Sequence, residues 1–208
     1  MKRLEDYTTI IFDLDDTLYN EIEYISRAYR FISNKISERN NHFSPQDIFN
    51  FLLEEFKSNG RKNLYQKLIT KFDGTNYPLS DFLNDLRTVP IPENSIAIKD
   101  ELYSFIQSNI NKYKFFIATN GNKIQQENKF RSANIPFKNR FNIVYCDAFG
   151  IGKRKPSPFF INYISENFHI KLDEMIFIGD SDVDYSAALK GKIDFLMVEE
   201  FNKKIGIT

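Results

Sequence analysis

The sequence predicts an α/β fold in which a doubly wound parallel sheet carries an inserted all-helical domain. Short apolar runs typical of buried strands begin at residue 9 and return after residue 113. In the second half of the chain these runs alternate with helical patterns, which favours a parallel sheet with helices on both faces. Residues 20–88 show only helical periodicity, so we expect a helical domain there and an α/β core made of residues 1–19 and 89–208.

The composition indicates a globular protein without the net charge that is typical of proteins that bind nucleic acids or anionic membranes. The chain has 208 residues, and its 28 basic side chains balance its 28 acidic ones, which argues against nucleic acid as a partner. The first six residues show no apolar segment, so we expect no signal peptide, and no run approaches the roughly 20 apolar residues of a membrane span. The single cysteine, Cys146, cannot form an internal disulfide and is interpreted as a buried thiol. We expect a cytoplasmic protein without membrane partners, as a monomer or small homo-oligomer.

The first predicted strand ends in a cluster of carboxylates. Thr9–Phe12 is β-branched or aromatic, and Asp13, Asp15 and Asp16 follow directly. Buried carboxylates are costly unless a cation offsets them, and open α/β sheets bind ligands at the carboxyl ends of their strands. Oxygen ligands from Asp suit Mg²⁺ rather than zinc. The pattern favours a magnesium site, although an acidic turn that caps a helix would produce it too.

Four helices are predicted in the insert, and their aromatic stripes are interpreted as packing. The first has apolar residues at spacings of three and four over Ile22–Ile36. The second, over residues 44–60, opens with a serine cap and a proline and closes on Asn-Gly. The third spans Leu64–Phe72, and a short fourth includes Phe82–Leu86.

The rest of the chain predicts four strands and four helices. The strands are expected at Lys114–Ala118, Asn142–Cys146, Met175–Ile178 and Phe195–Val198. The helices are expected at Ser95–Asn111, up to Phe130, from Ser157, and up to Leu189 with Gly191 as its cap.

Three further polar clusters follow predicted strands. Thr119–Gly121 offers a hydroxyl, an amide and backbone N–H groups before a helix, which suits an anion, although a helix cap would explain it equally. Lys153–Lys155 places three cations in a Pro-rich loop that could simply be solvated. Gly179–Asp184 again puts carboxylates after a strand, where Asp182 could only complement the helix dipole. Brought to one edge of the sheet, these groups provide what phosphoryl transfer requires.

In their order along the chain, these motifs resemble those of the haloacid dehalogenase (HAD) superfamily, most of whose members are magnesium-dependent phosphatases. Asp13–Thr17 is similar to the family's Asp-x-Asp-x-Thr motif, and Thr119 with Asn120 to its second motif. Lys155, followed by proline, is similar to the third motif, and Gly179–Asp184 to the fourth. The resemblance spans nearly the whole chain, and the helical insert resembles the family's C1 cap, a lid over the active site.

The resemblance implies a catalytic mechanism. Asp13 would attack phosphorus and form an aspartyl-phosphate, and Asp15 would protonate the leaving oxygen and then deprotonate the hydrolytic water. Thr119 and Lys155 would complete the catalytic set. The transferred phosphoryl group would be bound by Thr119, Asn120, Gly121 and Lys155.

It also implies a Mg²⁺ site. The ligands would be a carboxylate oxygen of Asp13, the backbone carbonyl of Asp15, and Asp180. Asp184 and Thr17 would support these ligands without binding the metal themselves.

The expected activity is that of a phosphatase acting on a small phosphorylated metabolite, either a nucleotide, as in a nucleotidase, or a sugar phosphate. Side chains early in the insert are candidates for specificity: Tyr19, Asn20, Tyr24 and Arg27.

Three alternatives stay open from the sequence. A phosphosugar mutase uses the same four motifs. A 2-haloacid dehalogenase resembles the pattern without the second acid, so Asp15 argues against it. A receiver-like phosphoacceptor module would carry its acceptor on a middle strand, where Asp147 is a candidate.

Overall fold

The computed structural model describes residues 2–206, which form two compact units. One unit comprises the chain up to Asn20 together with the chain from Glu93 onward, and the other is Glu21–Pro92. The first unit contains a five-stranded sheet and the second is helical. Among residues 2–206, none of the helices has the length and apolar character needed to span a bilayer.

The sheet is entirely parallel, with the strand order β3-β2-β1-β4-β5. The strands are β1 Thr9–Phe12, β2 Lys114–Thr119, β3 Phe141–Tyr145, β4 Met175–Gly179 and β5 Asp194–Met197. The chain moves from β1 outward through β2 to β3, then returns to the other side of β1 for β4 and β5. The doubly wound α/β fold predicted from the sequence is confirmed, with β1 at the centre of the sheet.

Every residue of β1 and β4 is buried, because both faces of a parallel sheet are covered by the crossover helices. Successive side chains of β1 therefore enter two separate cores. Ile11 belongs to the cluster that contains Phe160 and Phe177. Phe12 packs on the other face against Phe115 and Phe201, with ring centroids 6.2 and 5.7 Å away. The carboxylates that follow β1 thus extend from a rigid, buried strand.

Nine α-helices are found within the described residues. They are α1 Glu21–Arg39, α2 Pro45–Asn59, α3 Leu64–Lys71, α4 Leu79–Thr88, α5 Asp100–Asn109, α6 Lys123–Ser132, α7 Phe159–Phe168, α8 Asp182–Gly191 and α9 Val198–Lys204.

Several predicted boundaries in the α/β unit were wrong. The helix expected from Ser95 begins at Asp100, because the backbone of Ile96 is extended and hydrogen-bonds to the segment after α6, accepting from Asn134 N at 2.7 Å. Gly191 is the last residue of α8, and Lys192 caps it in the left-handed region at φ 57°. Val198, expected in the last strand, instead begins α9.

The helical unit has the four helices that were expected. Tyr24, Tyr29 and Ile32 of α1 are fully buried, and the Tyr24 hydroxyl donates to the backbone oxygen of Leu86 at 3.0 Å. Glycine 60 ends α2 at φ 62°, as the Asn-Gly pair predicted. The side chain of Ser44, the predicted cap at the start of α2, does not form a hydrogen bond with the first turn of that helix.

Candidate active site

Three adjacent strands bring the predicted motifs to one edge of the sheet. β1 continues into Asp13, β2 ends at Thr119, and β4 ends at Gly179, just before Asp180. The backbone N–H of Asp13 donates to Ile178 O at 2.9 Å and extends the sheet by one residue. Asp13 is 8% exposed and Thr119 is 2% exposed, so both side chains are fixed at the end of a buried sheet.

Lys155 forms a buried ion-pair triad with two of the carboxylates. Its ammonium nitrogen lies 2.6 Å from Asp13 Oδ1 and 2.6 Å from Asp184 Oδ1. The ammonium donates a hydrogen bond to Asp13 and forms an ion pair of the same length with Asp184. Burial alone would lower the pKa of Lys155, but the two carboxylates outweigh it and hold that pKa above its usual value. Lys155 is therefore a fixed cation in the site.

The backbone of Lys155 is held by Asn120. The Asn120 side chain accepts from Lys155 N at 2.8 Å and donates to Lys155 O at 3.0 Å. These two bonds use the amide oxygen and one of the two N–H donors of the side chain, so the remaining side-chain N–H and the backbone N–H are the donors that Asn120 could offer to a phosphate. The second motif thus positions the lysine of the third.

Three carboxylates form a candidate metal site. Asp13, Asp180 and Asp184 each offer one oxygen, and these oxygens lie within 4.8 Å of one another. An all-oxygen donor set suits a hard divalent cation such as Mg²⁺. Asp184, expected only as a supporting residue, thus lies among the possible ligands. The hydroxyl of Thr17 is buried and makes no hydrogen bond within the described residues.

Asp184 is positioned by its own helix and by a close approach to β4. The Ser181 hydroxyl donates to Asp184 Oδ2 at 2.7 Å at the start of α8. A Cβ at Gly179 would lie 2.7 Å from both Cβ and Oδ2 of Asp184, which is too close for any side chain there. Gly179 is therefore required for the carboxylate to reach the site.

The electrostatics of the site indicate a shortage of positive charge. Burial raises the pKa of Asp13 to about 7, and the nearby Asp184 and Asp15 add to the effect of burial against the opposing attraction of Lys155. Burial, helped by Asp184, likewise raises the pKa of Asp180 to about 6. A divalent cation would relieve this repulsion, so the residues present fit the metal that the motifs predict.

Asp15 lies in a different environment, with hydrogen-bond donors on both of its oxygens. Tyr19 donates its hydroxyl to Oδ1 at 2.6 Å, and Lys129 Nζ lies 2.6 Å from Oδ2. Gln126 Nε2 also donates to Oδ2, at 3.2 Å. Burial would raise the pKa of Asp15, but the ion pair with Lys129 and these hydrogen bonds outweigh it and hold the pKa below its usual value. Asp15 is therefore an anion here.

Sequence reasoning missed Gln126 and Lys129 and placed Tyr19 differently. In the structure, the buried positions of α6 are the polar residues Gln126, Lys129 and Ser132, spaced three apart on one helix face. A helix that buries polar side chains directly after a motif indicates that it faces a site. Of the candidate specificity residues, Tyr19 contacts Asp15 and Tyr24 lies within the helical unit.

The interpretation of Asp147 on a middle strand was wrong. β3 is the edge strand of the sheet, because the chain adds it outside β2. Asp147 follows it in a short 3₁₀ turn, with its Oδ1 3.1 Å from Arg154 Nε.

Burial raises the pKa of the neighbouring Cys146 thiol to about 12, which leaves it protonated and unreactive.

Comparison with known proteins gives one family. The family model for haloacid dehalogenase-like hydrolases matches residues 10–198. No curated protein sequence matches the chain significantly.

Solved structures match the fold at low sequence identity. YfnB from Bacillus subtilis, solved with bound magnesium, is 16% identical with a TM-score of 0.61, over 97% of this chain and 99% of that one. A HAD family hydrolase from Deinococcus radiodurans R1, with bound phosphate and sodium, is 18% identical with a TM-score of 0.57 over 93% and 81%. A hydrolase from Streptococcus pneumoniae TIGR4 is 18% identical with a TM-score of 0.56 over 96% and 98%. Because the family model covers residues 10–198, the chain belongs to the family of haloacid dehalogenase-like hydrolases.

Proposed function

We propose that this hydrolase is a Mg²⁺-dependent phosphatase that cleaves a small phosphomonoester through an aspartyl-phosphate on Asp13. One observation carries the proposal. Asp13 is a buried carboxylate that contacts a buried lysine and lies in a cluster of three carboxylates suited to a divalent cation. A nucleophilic oxygen, a fixed cation and a metal-binding cluster at one strand end are the groups that phosphoryl transfer requires.

The residues that would hold the metal are Asp13, Asp180 and Asp184, with the backbone carbonyl of Asp15 as a further ligand. Bound there, Mg²⁺ would supply positive charge to the phosphoryl oxygens and offset the carboxylate repulsion. YfnB contains magnesium and the Deinococcus hydrolase contains phosphate, which supports both components of the proposal.

The chain's own residues would divide the chemistry. Asp13 attacks phosphorus while Lys155 stabilises the charge on the transferred group, with the Thr119 hydroxyl beside it. Asp15, which is anionic in this structure, then removes a proton from the water that attacks the aspartyl-phosphate. For its earlier role as an acid, Asp15 must first gain a proton, and a singly protonated phosphomonoester could bring one into the site.

The substrate class is proposed as a nucleotide or a sugar phosphate. A role for residues 20–88 as a cap that limits substrate size stays a prediction, as do a monomeric or small homo-oligomeric state and the lack of nucleic-acid and membrane partners.

A pair of variants tests the mechanism with p-nitrophenyl phosphate in the presence of Mg²⁺. Asp13→Asn should release no nitrophenol, because the nucleophile is lost. Asp15→Asn should release a burst of about one equivalent per enzyme and then stall, because nitrophenolate leaves without a proton but the water has lost its base.

A matched control is Asp147→Asn, which changes a carboxylate at the end of a neighbouring strand and should leave turnover unchanged. Phosphate trapped on Asp15→Asn should map to Asp13 by mass spectrometry. Phosphate on Asp147, or an unslowed steady state in Asp15→Asn, would contradict the mechanism.

A further inference from the structure

Helix α6 buries a lysine that the proposed mechanism does not use. Lys129 is 1% exposed, and its ammonium lies 2.6 Å from Asp15 Oδ2. The two residues are 114 positions apart in the chain and lie on different elements. A buried lysine loses hydration and rotamer freedom, so its position requires a compensating contact, which Asp15 provides.

The Asp15 carboxylate is oriented through both of its oxygens. The Tyr19 hydroxyl donates to Oδ1, while Lys129 and Gln126 donate to Oδ2. The next residue, Asp16, has a φ of 55° in the left-handed region, which aspartate adopts more readily than most residues, so the chain turns directly after Asp15. Removing the lysine would leave two donors on the carboxylate, neither of them charged.

Gln126 extends the same network to the phosphate-binding loop. Its Nε2 lies 3.2 Å from Asp15 Oδ2 and 2.5 Å from Asn120 O. A Cβ at Gly121 would lie 2.8 Å from Gln126 Nε2, and Gly121 has a φ of 119°, so glycine is needed for this approach. One face of α6 thus contacts both the acid–base candidate and the segment that clamps Lys155.

We propose that Lys129 is a positioning residue that holds the Asp15 carboxylate in the orientation for proton transfer, with Gln126 tying that orientation to the Asn120 loop. The inference rests on the proposed function, because it assigns Lys129 a role through Asp15. It concerns orientation, since proton transfer requires Asp15 within hydrogen-bond reach of the leaving oxygen and of the water. Steps that do not use Asp15 should not depend on Lys129.

The test is the variant Lys129→Met, assayed by rapid quench with two esters of similar size, p-nitrophenyl phosphate and phenyl phosphate, each with Mg²⁺. With the nitrophenyl ester, formation of the aspartyl-phosphate should change by less than about threefold, while steady-state turnover falls about 10- to 100-fold. With the phenyl ester, formation should also fall about 10-fold or more, because the poorer leaving group needs its proton. A merely structural loss would lower both esters and both steps together.

A double-variant comparison shows whether Lys129 acts through Asp15. In the Asp15→Asn background, Lys129→Met should cause no further loss of turnover, because the group it orients has already been removed. Multiplicative losses in that background would overturn the inference. The neutral pair Lys129→Met/Asp15→Asn also avoids an unpaired buried charge, so it supplies the result should the single variant fail to fold.

One control variant and one variant with a weaker expected effect accompany Lys129→Met. Lys123→Met alters an exposed lysine on the same helix, whose ammonium lies 3.6 Å from Glu127, and should leave both esters unaffected. Gln126→Leu introduces no charge and should reproduce the leaving-group dependence more weakly. A wild-type enzyme inactive on both esters would refute the proposed function. An active wild type whose Lys129→Met losses are equal for the two esters would refute the positioning role alone.

Discussion

Asp13→Asn should stabilise the metal-free protein at neutral and higher pH, although it removes the proposed nucleophile. The Asp13 carboxylate is buried beside Asp184, with a single lysine shared between the two. Burial, with neighbouring negative charge, raises the pKa of Asp13 from 3.8 to about 7, so the ionised form is unfavourable in the folded state. Asparagine keeps the shape of the side chain and removes the charge, which leaves Lys155 paired with Asp184.

The magnitude follows from the pKa. Each pKa unit is worth about 1.4 kcal/mol, so a rise from 3.8 to about 7 corresponds to an upper bound of about 4 kcal/mol. For a chain of this size, about 4 kcal/mol corresponds to an increase in Tm of roughly 10 °C. Because the folded-state pKa is raised, wild-type stability is fully present below the unfolded value of 3.8 and is lost as the pH rises through about 7. The gain from Asp13→Asn should therefore be large at pH 8 and small at pH 4.5.

The assay is thermal unfolding measured by calorimetry, in the presence of EDTA, at pH 8 and at pH 4.5. Asp147→Asn serves as the matched control and should not raise the Tm at pH 8. The reasoning fails if Asp13→Asn unfolds at or below the wild-type temperature at pH 8, or if its gain is the same at both pH values. Addition of Mg²⁺ should reverse the order and favour the wild type, which retains all the carboxylate ligands.

Three further outcomes are expected. Mg²⁺ should raise the wild-type Tm more at pH 8 than at pH 5.5, because protons compete with the metal for the carboxylates of Asp13 and Asp180, whose pKa values are raised. Calorimetric titration should show that the Mg²⁺ affinity of Asp180→Asn depends less on pH than that of the wild type. Gly179→Ala should lower the Mg²⁺ affinity and should lower the free energy of unfolding by about 1–3 kcal/mol, because the new Cβ would lie 2.7 Å from Asp184. Gly152→Ala is the control and should change neither quantity, because a Cβ at that position has no atom within 4 Å. Lys155→Met should lower kcat by at least about 100-fold with p-nitrophenyl phosphate, and near-wild-type turnover would exclude its role at the phosphoryl group.

The fold could be predicted because its elements have strong local patterns. The apolar strand before Asp13 and the alternation after residue 113 indicated a parallel sheet, and the carboxyl ends of parallel strands meet at one edge. Strand order was beyond local patterns, because it depends on which side of β1 each crossover packs. For this reason β3 was taken for a middle strand and Asp147 was given undue weight.

The positions of the candidate site residues were predictable where a residue ends a strand or directly follows one, and less so where the residue approaches from another element. Asp13, Thr119 and Asp180 belong to the first kind. Lys129 belongs to the second, since its contact with Asp15 spans 114 positions and nothing next to it in the sequence reveals the partner. Asp184 was assigned a supporting role because the family resemblance implies one, and its close approach to β4 depends on the glycine at the end of that strand.

The clamp on Lys155 determines how this site could be transferred to another scaffold. One side-chain amide accepts from the N–H and donates to the C=O of the same residue, which is the pairing that a neighbouring strand offers in an antiparallel sheet. The Asn120 side chain therefore replaces one hydrogen-bonded residue pair of a sheet and joins the Lys155 loop to the end of β2. An aspartate in its place would keep the acceptor and lose the donor. Lysine grafted without this amide would bring the charge but not its position, so the two residues form one transferable unit.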